Sequence, residues 1–181
     1  MKAGNYMKTT GVIRRIDDLG RIVIPKEIRK TLRIKDGESL EIYLDSDNIV
    51  LKKFSRLEGL SNFYKNYVDS VQSSIGENIM ITDNEKIVAV AGTLKKKYLD
   101  HDISNYIENV IDNRVDVVEK DPVFIEIIKD VTEECTFAIS PIIANGDAIG
   151  AVIVLSKENK LDGFCEKAVK IAAKFLGKCI E

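Results

Sequence analysis

The chain has 181 residues, of which 45% are hydrophobic and 31% charged, with a formal net charge of −2. This is globular composition; it excludes a disordered tail, and no apolar run reaches the roughly 18 residues needed to span a bilayer. The charge is unevenly spread: residues 1–35 carry ten Lys and Arg against Asp17, Asp18 and Glu27, a net of +7 that leaves −9 for the remainder. Such asymmetry points to a nucleic-acid surface carried beside an acidic partner domain.

Taken in chain order, Thr10 to Ile16 is predicted to be a strand, Asp17-Asp18-Leu19-Gly20 a turn, and Arg21 to Ile24 a second strand. Alternation puts Ile22 and Ile24 on one face and Arg21 and Val23 on the other. Pro25 suits the first position of a helix, where its missing N–H costs nothing. From Lys26 to Leu32, Ile28 and Leu32 then share one side, while Lys26, Arg29, Lys30 and Arg33 occupy the remaining arc. Asp36-Gly37 turns the chain into a second hairpin: Leu40, Ile42 and Leu44 point inward, residues 45–48 turn, and Ile49 and Leu51 point inward again. Asp17 and Asp18 are read as turn formers and Glu27 as an offset to nearby arginine charge.

A module of about 50 residues without disulfide or metal buries too little surface to be comfortably stable. The inward set Val12, Ile16, Ile22, Ile24, Leu40, Ile42, Leu44, Ile49 and Leu51 needs a second layer, which another copy of the chain supplies. The domain boundary is therefore expected at 1–54 and 55–181.

Beyond the junction, helical spacing from Leu57 to Ile75 predicts a long helix leaving the first domain directly, a stiff link rather than a flexible one. Residues 78–92 read as a hairpin. Asp102 to Asp112 reads as a helix capped by the acids around His101. Asp116 to Lys120 and Val123 to Ile128 are short apolar pieces whose type the pattern leaves open. Thr136 to Ile143 and Ala148 to Leu155 are strands joined across Asn145-Gly146, a strong hairpin signal, and Phe164 to Cys179 is an amphipathic helix. The order is that of an α+β domain with a central antiparallel sheet.

No catalytic set is visible: His101 is the lone histidine, and no nucleophile elbow, phosphate-binding loop or carboxylate cluster occurs. Cys135, Cys165 and Cys179 lack C-x-x-C spacing and read as buried thiols, so no metal and no cofactor are expected. Lys95-Lys96-Lys97 reads as a solvated loop. Ile81, Val88, Val90, Ile139 and Ile153 are candidates either for a ligand cavity or, the heavier reading, for an ordinary core.

The runs Gly11-Val-Ile-Arg-Arg-Ile-Asp-Asp-Leu-Gly-Arg-Ile-Val-Ile-Pro-Lys-Glu-Ile-Arg29, Asp36-Gly-Glu-Ser-Leu-Glu-Ile-Tyr-Leu44 and Asn48-Ile-Val-Leu-Lys-Lys53 resemble the N-terminal domain of the AbrB family of bacterial transition-state regulators. The resemblance implies an AbrB-like swapped-hairpin β-barrel, dimeric and binding double-stranded DNA. It places DNA-contacting arginines on Arg14, Arg21 and Arg29 and further basic positions on Arg15 and Lys30, with Lys8 reaching a phosphate from the arm. Neighbours in a strand face opposite sides, so only one of Arg14 and Arg15 enters a groove unless the strand twists or bulges.

The element order of the second half, with its Ser140-Pro-Ile-Ile-Ala-Asn-Gly-Asp-Ala-Ile-Gly-Ala-Val-Ile-Val-Leu155 hairpin, resembles a GAF or related PAS-type sensor. The implied whole is a cytoplasmic, nucleoid-associated transcriptional regulator of sporulation genes. It is expected to be a dimer through the barrel and a tetramer through the helices at 57–75 and 163–180, with an unidentified small-molecule effector and no membrane. The alternative is an antitoxin-like interaction protein; such proteins carry a disordered toxin-wrapping tail, whereas residues 57–181 read as folded.

Overall fold

The computed structural model describes residues 11–54, 61–158 and 160–180, which fall into two compact units, Met1–Phe54 and Ser55–Glu181. In the first unit Pro25, at φ −57° and ψ 147°, leads into α1, Lys26–Thr31. The helix stops one residue earlier than its apolar spacing predicts, because Arg33 turns left-handed at φ 52°. β1, Leu40–Asp45, pairs antiparallel with β2, Asn48–Lys53, in a register that sets Asp45 opposite Asn48. The loop is thus the two residues Ser46 and Asp47, and Ser46 takes the positive φ of 53° that a tight hairpin turn demands.

The first predicted hairpin differs. The Asp17 N–H donates to the Arg21 carbonyl at 3.1 Å and Gly20 N–H to that of Asp17 at 3.0 Å, closing the turn. Among the described residues, however, neither 11–16 nor 21–24 forms a strand. A strand needs a continuous ladder with a neighbouring backbone, and the described residues form none along these segments. The apolar residues assigned inward confirm the deficit: Ile16 is 64% exposed, Ile22 53%, Ile42 67%, Leu44 81% and Ile49 67%. Of the described residues before Phe54, Pro25 alone is buried.

The second unit is three-layered. Its five-stranded sheet runs β4-β3-β7-β6-β5, from β3, Asn78–Thr82, β4, Ile87–Ala91, β5, Val117–Ile128, β6, Val131–Ala144, and β7, Asp147–Ser156, with every pairing antiparallel. On one face α2, Ser61–Ile75, and α5, Gly163–Ile180, cover a core of Tyr64, Val68, Ile81, Ala138, Val152 and Leu176. On the other, α3, Lys95–Tyr98, and α4, Asn105–Asn113, cover Met80, Val90, Phe137, Ile139 and Ile153. Residues 55–60, which include the predicted start of the long helix at Leu57, lie outside the described residues.

Several expectations are corrected. Ile81 and Val88 lie on one face of the sheet and Val90, Ile139 and Ile153 on the other, so they do not line one cavity; the register shift that makes Val88 an extra residue opposite β3 separates it from Val90, which alternation alone would place beside it. The α4 cap is Ser104, whose Oγ accepts from Ile107 N–H, rather than the acids around His101; Asp102 and Ile103 make bridges instead. The two open-typed pieces are one edge strand, β5, whose register shifts between Glu119 and Val123, where Pro122 cannot donate to a ladder. Lys95–Lys97 begins α3, and Lys97 pairs with the buried Glu133, which also accepts from Tyr98 Oη at 2.8 Å and meets Lys157 Nζ at 2.7 Å. Cys135 and Cys165 are buried but Cys179 is exposed. Burial, aided by Asp162, pushes the Cys165 thiol up to about 11, which suits packing and not nucleophilic chemistry.

Gly177 sets the approach of α5 to the sheet: a Cβ there would strike the backbone oxygen of Ile143 on β6. Gly177→Ala is expected to cost about 1–3 kcal/mol by overpacking, read as a lower midpoint in urea unfolding of the full chain. An unchanged midpoint would show that the helix has room to retreat.

Candidate nucleic-acid interface

The basic residues of the first unit are concentrated ahead of β1. Between residues 11 and 35 there are eight Lys and Arg against three acids, whereas residues 36–51 hold five acids and no basic residue. The unit is therefore electrically two-sided along its sequence, and phosphate attraction belongs to the turn and α1 segment. Lys8 lies outside the described residues. Arg15, Arg21 and Lys30 are exposed, and Arg29 is partly covered.

Two of these arginines are held by aspartates. Asp17 Oδ1 accepts from the Arg21 N–H at 2.7 Å and from Leu19 N–H at 3.1 Å, and Oδ2 accepts from Arg21 Nε at 2.7 Å. The Arg21 backbone N–H first, and its guanidinium second, hold the Asp17 carboxyl below the usual aspartate range. Arg29 Nη1 pairs with Asp36 Oδ1 across the end of α1. Lys53 Nζ reaches the Arg33 carbonyl at 3.0 Å, tying the end of β2 to the residue that terminates α1. Asp17 was legible as a turn former from its place before Gly20, but not as an arginine holder; the i,i+4 spacing to Arg21 was the available signal. The Arg29–Asp36 pair left no sequence pattern to read.

Arg14 Nη1 donates to the carbonyl of Ile13 at 3.2 Å, and its side chain lines an apolar hollow with Val12, Ile22, Ile24, Ile28, Leu32 and Leu51. Arg15 does not line that hollow, in keeping with the opposite facing of adjacent residues.

Residues 59–181 match the family described as "Stage V sporulation protein T C-terminal, transcription factor". The chain is also 44% identical over 177 residues to stage V sporulation protein T of Bacillus subtilis (strain 168), covering 97% of this chain and 99% of that protein. The chain belongs to the stage V sporulation protein T family. That family is one of transcription factors and not of enzymes. Its head is 53% identical over 49 residues to the transition state regulatory protein AbrB of the same organism, covering 27% of this chain and 51% of that protein. Residues 13–56 also match the family "Antidote-toxin recognition MazE, bacterial antitoxin". Among solved structures, the GAF domain of an Acinetobacter phosphoenolpyruvate-protein phosphotransferase aligns at a TM-score of 0.56 and 14% identity, covering 71% of this chain and 84% of that one. The second unit of this stage V sporulation protein T family member thus has the GAF fold, and the head is of the AbrB type.

Because the folded state depresses the Asp17 pKa, its contribution to stability is present above the unfolded-state value. It is lost as pH falls through the lower folded one. The Asp17 carboxyl followed by carbon NMR is expected to titrate below the ordinary aspartate midpoint, and to return towards it in Arg21→Ala. A midpoint unmoved by that substitution would show that the guanidinium does not hold the carboxylate.

Proposed function

We propose that this transcription factor regulates sporulation genes by gripping double-stranded DNA with two copies of its basic segment, displayed on a dimeric swapped-hairpin barrel. The observation that carries the reading is the pairing of exposed cations with an uncovered apolar face. Arg14, Arg15, Arg21, Arg29 and Lys30, with Lys8 on the arm, are the proposed contacts. Val12, Ile22, Leu32 and Leu51 border a hollow of about 240 Å³ that a partner's apolar residues fill. Closing the dimer doubles the cations on one assembly, which raises affinity through counterion release. The boundary after Phe54 then separates a DNA-binding head from a GAF-type oligomerisation domain. On this reading the protein acts with the DNA, at the nucleoid in the cytoplasm.

The second unit brings two such dimers together. Tyr67 stacks on Phe175 with centroids 5.4 Å apart and on Phe63 at 6.2 Å, joining α2 to α5 through an aromatic cluster. Around it Phe63 is 38%, Phe175 44% and Ile171 66% exposed. A second copy's helices cover this patch and make a dimer of dimers, with avidity across two DNA sites. An effector's candidate place is the hollow of about 300 Å³ bounded by Tyr106, Glu119, Phe124, Glu126 and Phe137. The antitoxin reading draws on the head's match to that family. The GAF-type sheet and helices over residues 61–180 weigh against it, since no extended toxin-wrapping tail is left there.

Arg21→Ala is expected to weaken DNA binding and to lower the slope of log affinity against log salt by about one per copy. Fluorescence anisotropy at several salt concentrations reads both, and unchanged values in a folded dimer would remove Arg21 from the interface. Phe175→Glu is expected to convert the tetramer to a dimer in sedimentation velocity while leaving the head's dimer intact; a persistent tetramer would place the contact elsewhere.

A further inference from the structure

We propose that Asp17 is a positioning residue for DNA recognition: it fixes the direction of the Arg21 guanidinium and thereby contributes to specificity at the expense of raw electrostatic attraction. The inference rests on Arg21 facing DNA, as proposed above, and adds a role for an acid in a surface whose net charge favours phosphate.

The geometry carries it. The two oxygens of Asp17 divide their work: Oδ1 takes the Leu19 and Arg21 backbone N–H groups and closes the turn, while Oδ2 takes Arg21 Nε at 2.7 Å. A turn needs only the first oxygen. The second engages Nε, the guanidinium nitrogen on the stem side, and Asp17 bonds neither Nη1 nor Nη2, the nitrogens that meet a phosphate or a guanine edge. The Arg21 side chain is 70% exposed, so it is presented and not packed. Among the described residues it makes no other ion pair or side-chain hydrogen bond.

An unheld arginine on a surface turn samples many rotamers and adjusts to any phosphate. One held through Nε has lost that freedom before binding, so its bonds to a matching site cost less ordering and a mismatched site gains less by adjustment. The carboxylate also subtracts a positive charge next to the phosphates, a loss that indiscriminate binding shares. Arg29 offers a contrast, because its acid, Asp36, engages the terminal Nη1 itself and so occupies part of the fork.

Asp17→Asn tests this on the full chain. Asparagine retains an oxygen for the turn but places an N–H₂ or a neutral oxygen opposite Arg21 Nε. The probes are a duplex selected in vitro from a random pool with the wild-type chain, and poly(dI-dC) as the unselected competitor. Asp17→Asn is expected to bind the competitor as tightly as wild type or more so, and to lose at least fivefold in the ratio of selected to unselected affinity. Arg21→Ala is expected to lose the ratio too, and the double variant to lose no more than Arg21→Ala alone, since the two act as one unit. A ratio unchanged in Asp17→Asn but reduced in Arg21→Ala overturns this inference while leaving Arg21 in the interface. A ratio unchanged in Arg21→Ala overturns the interface assignment and the inference with it. If Asp17→Asn fails to dimerise, Arg21→Lys serves in its place: it keeps the aspartate and its backbone bonds and removes the Nε-held fork. An undiminished ratio in that variant overturns the proposal.

Discussion

The constraint on which the molecule depends is apolar surface that one chain cannot cover. The head leaves Ile13, Ile16, Leu19 and Ile22 ahead of its helix, and Leu44 and Ile49 in its hairpin, in solvent, each more than half exposed. Burying such a side chain is worth about 1.5–3 kcal/mol. A monomeric head therefore forgoes the main favourable term in folding, while still fixing its backbone. A second head removes the deficit and brings a second set of cations onto the same assembly. In the proposed dimer, covering the apolar surface and gathering the cations are one event.

The second unit has the opposite character. Its sheet is covered on both faces, with Tyr64, Ile79, Ile81, Phe137 and Val152 fully buried. An ionic seam of Asp116, Lys120, Glu166 and Lys170 ties α5 to the segment around the irregular part of β5. Its exposed apolar side chains include the aromatic patch of α2 and α5 and the hollow beside Tyr106 and Phe124. A self-sufficient domain with an exposed aromatic patch suits the proposed assembly of preformed dimers.

How much of this was legible in the sequence depends on where each residue finds its partner. β1, β2 and the β6–β7 hairpin were readable because their partners lie one turn away and period-two alternation marks their faces. Residues 11–16 and 21–24 carry the same β-branched signal, yet form no strand within the chain, since propensity cannot supply the missing neighbour. Lys97 is exposed, as a solvated reading expects, but it lies in a helix and not a loop, and its ion pair with Glu133 forms only when β6 is laid in the sheet. Ile81 and Ile139 read as core first and as one cavity lining second; both are core, on opposite faces of the sheet, a sorting that strand assignment without register cannot supply. The arginines of the proposed interface are readable as charge and as motif; the Asp17–Arg21 pair left only its i,i+4 spacing as a signal, and the Arg29–Asp36 pair shows only in three dimensions.

Amide hydrogen exchange of the full chain tests the central claim most directly. In one chain the backbone amides of residues 13–16 and 22–24 belong to no strand, so a self-contained head would exchange them at nearly the rate of an unfolded peptide. The account predicts strong protection at both segments, rising with protein concentration as heads pair and approaching that of β1 and β2. Rapid exchange there in a protein whose β1 and β2 amides remain protected would contradict it, because the head would then be folded without a partner.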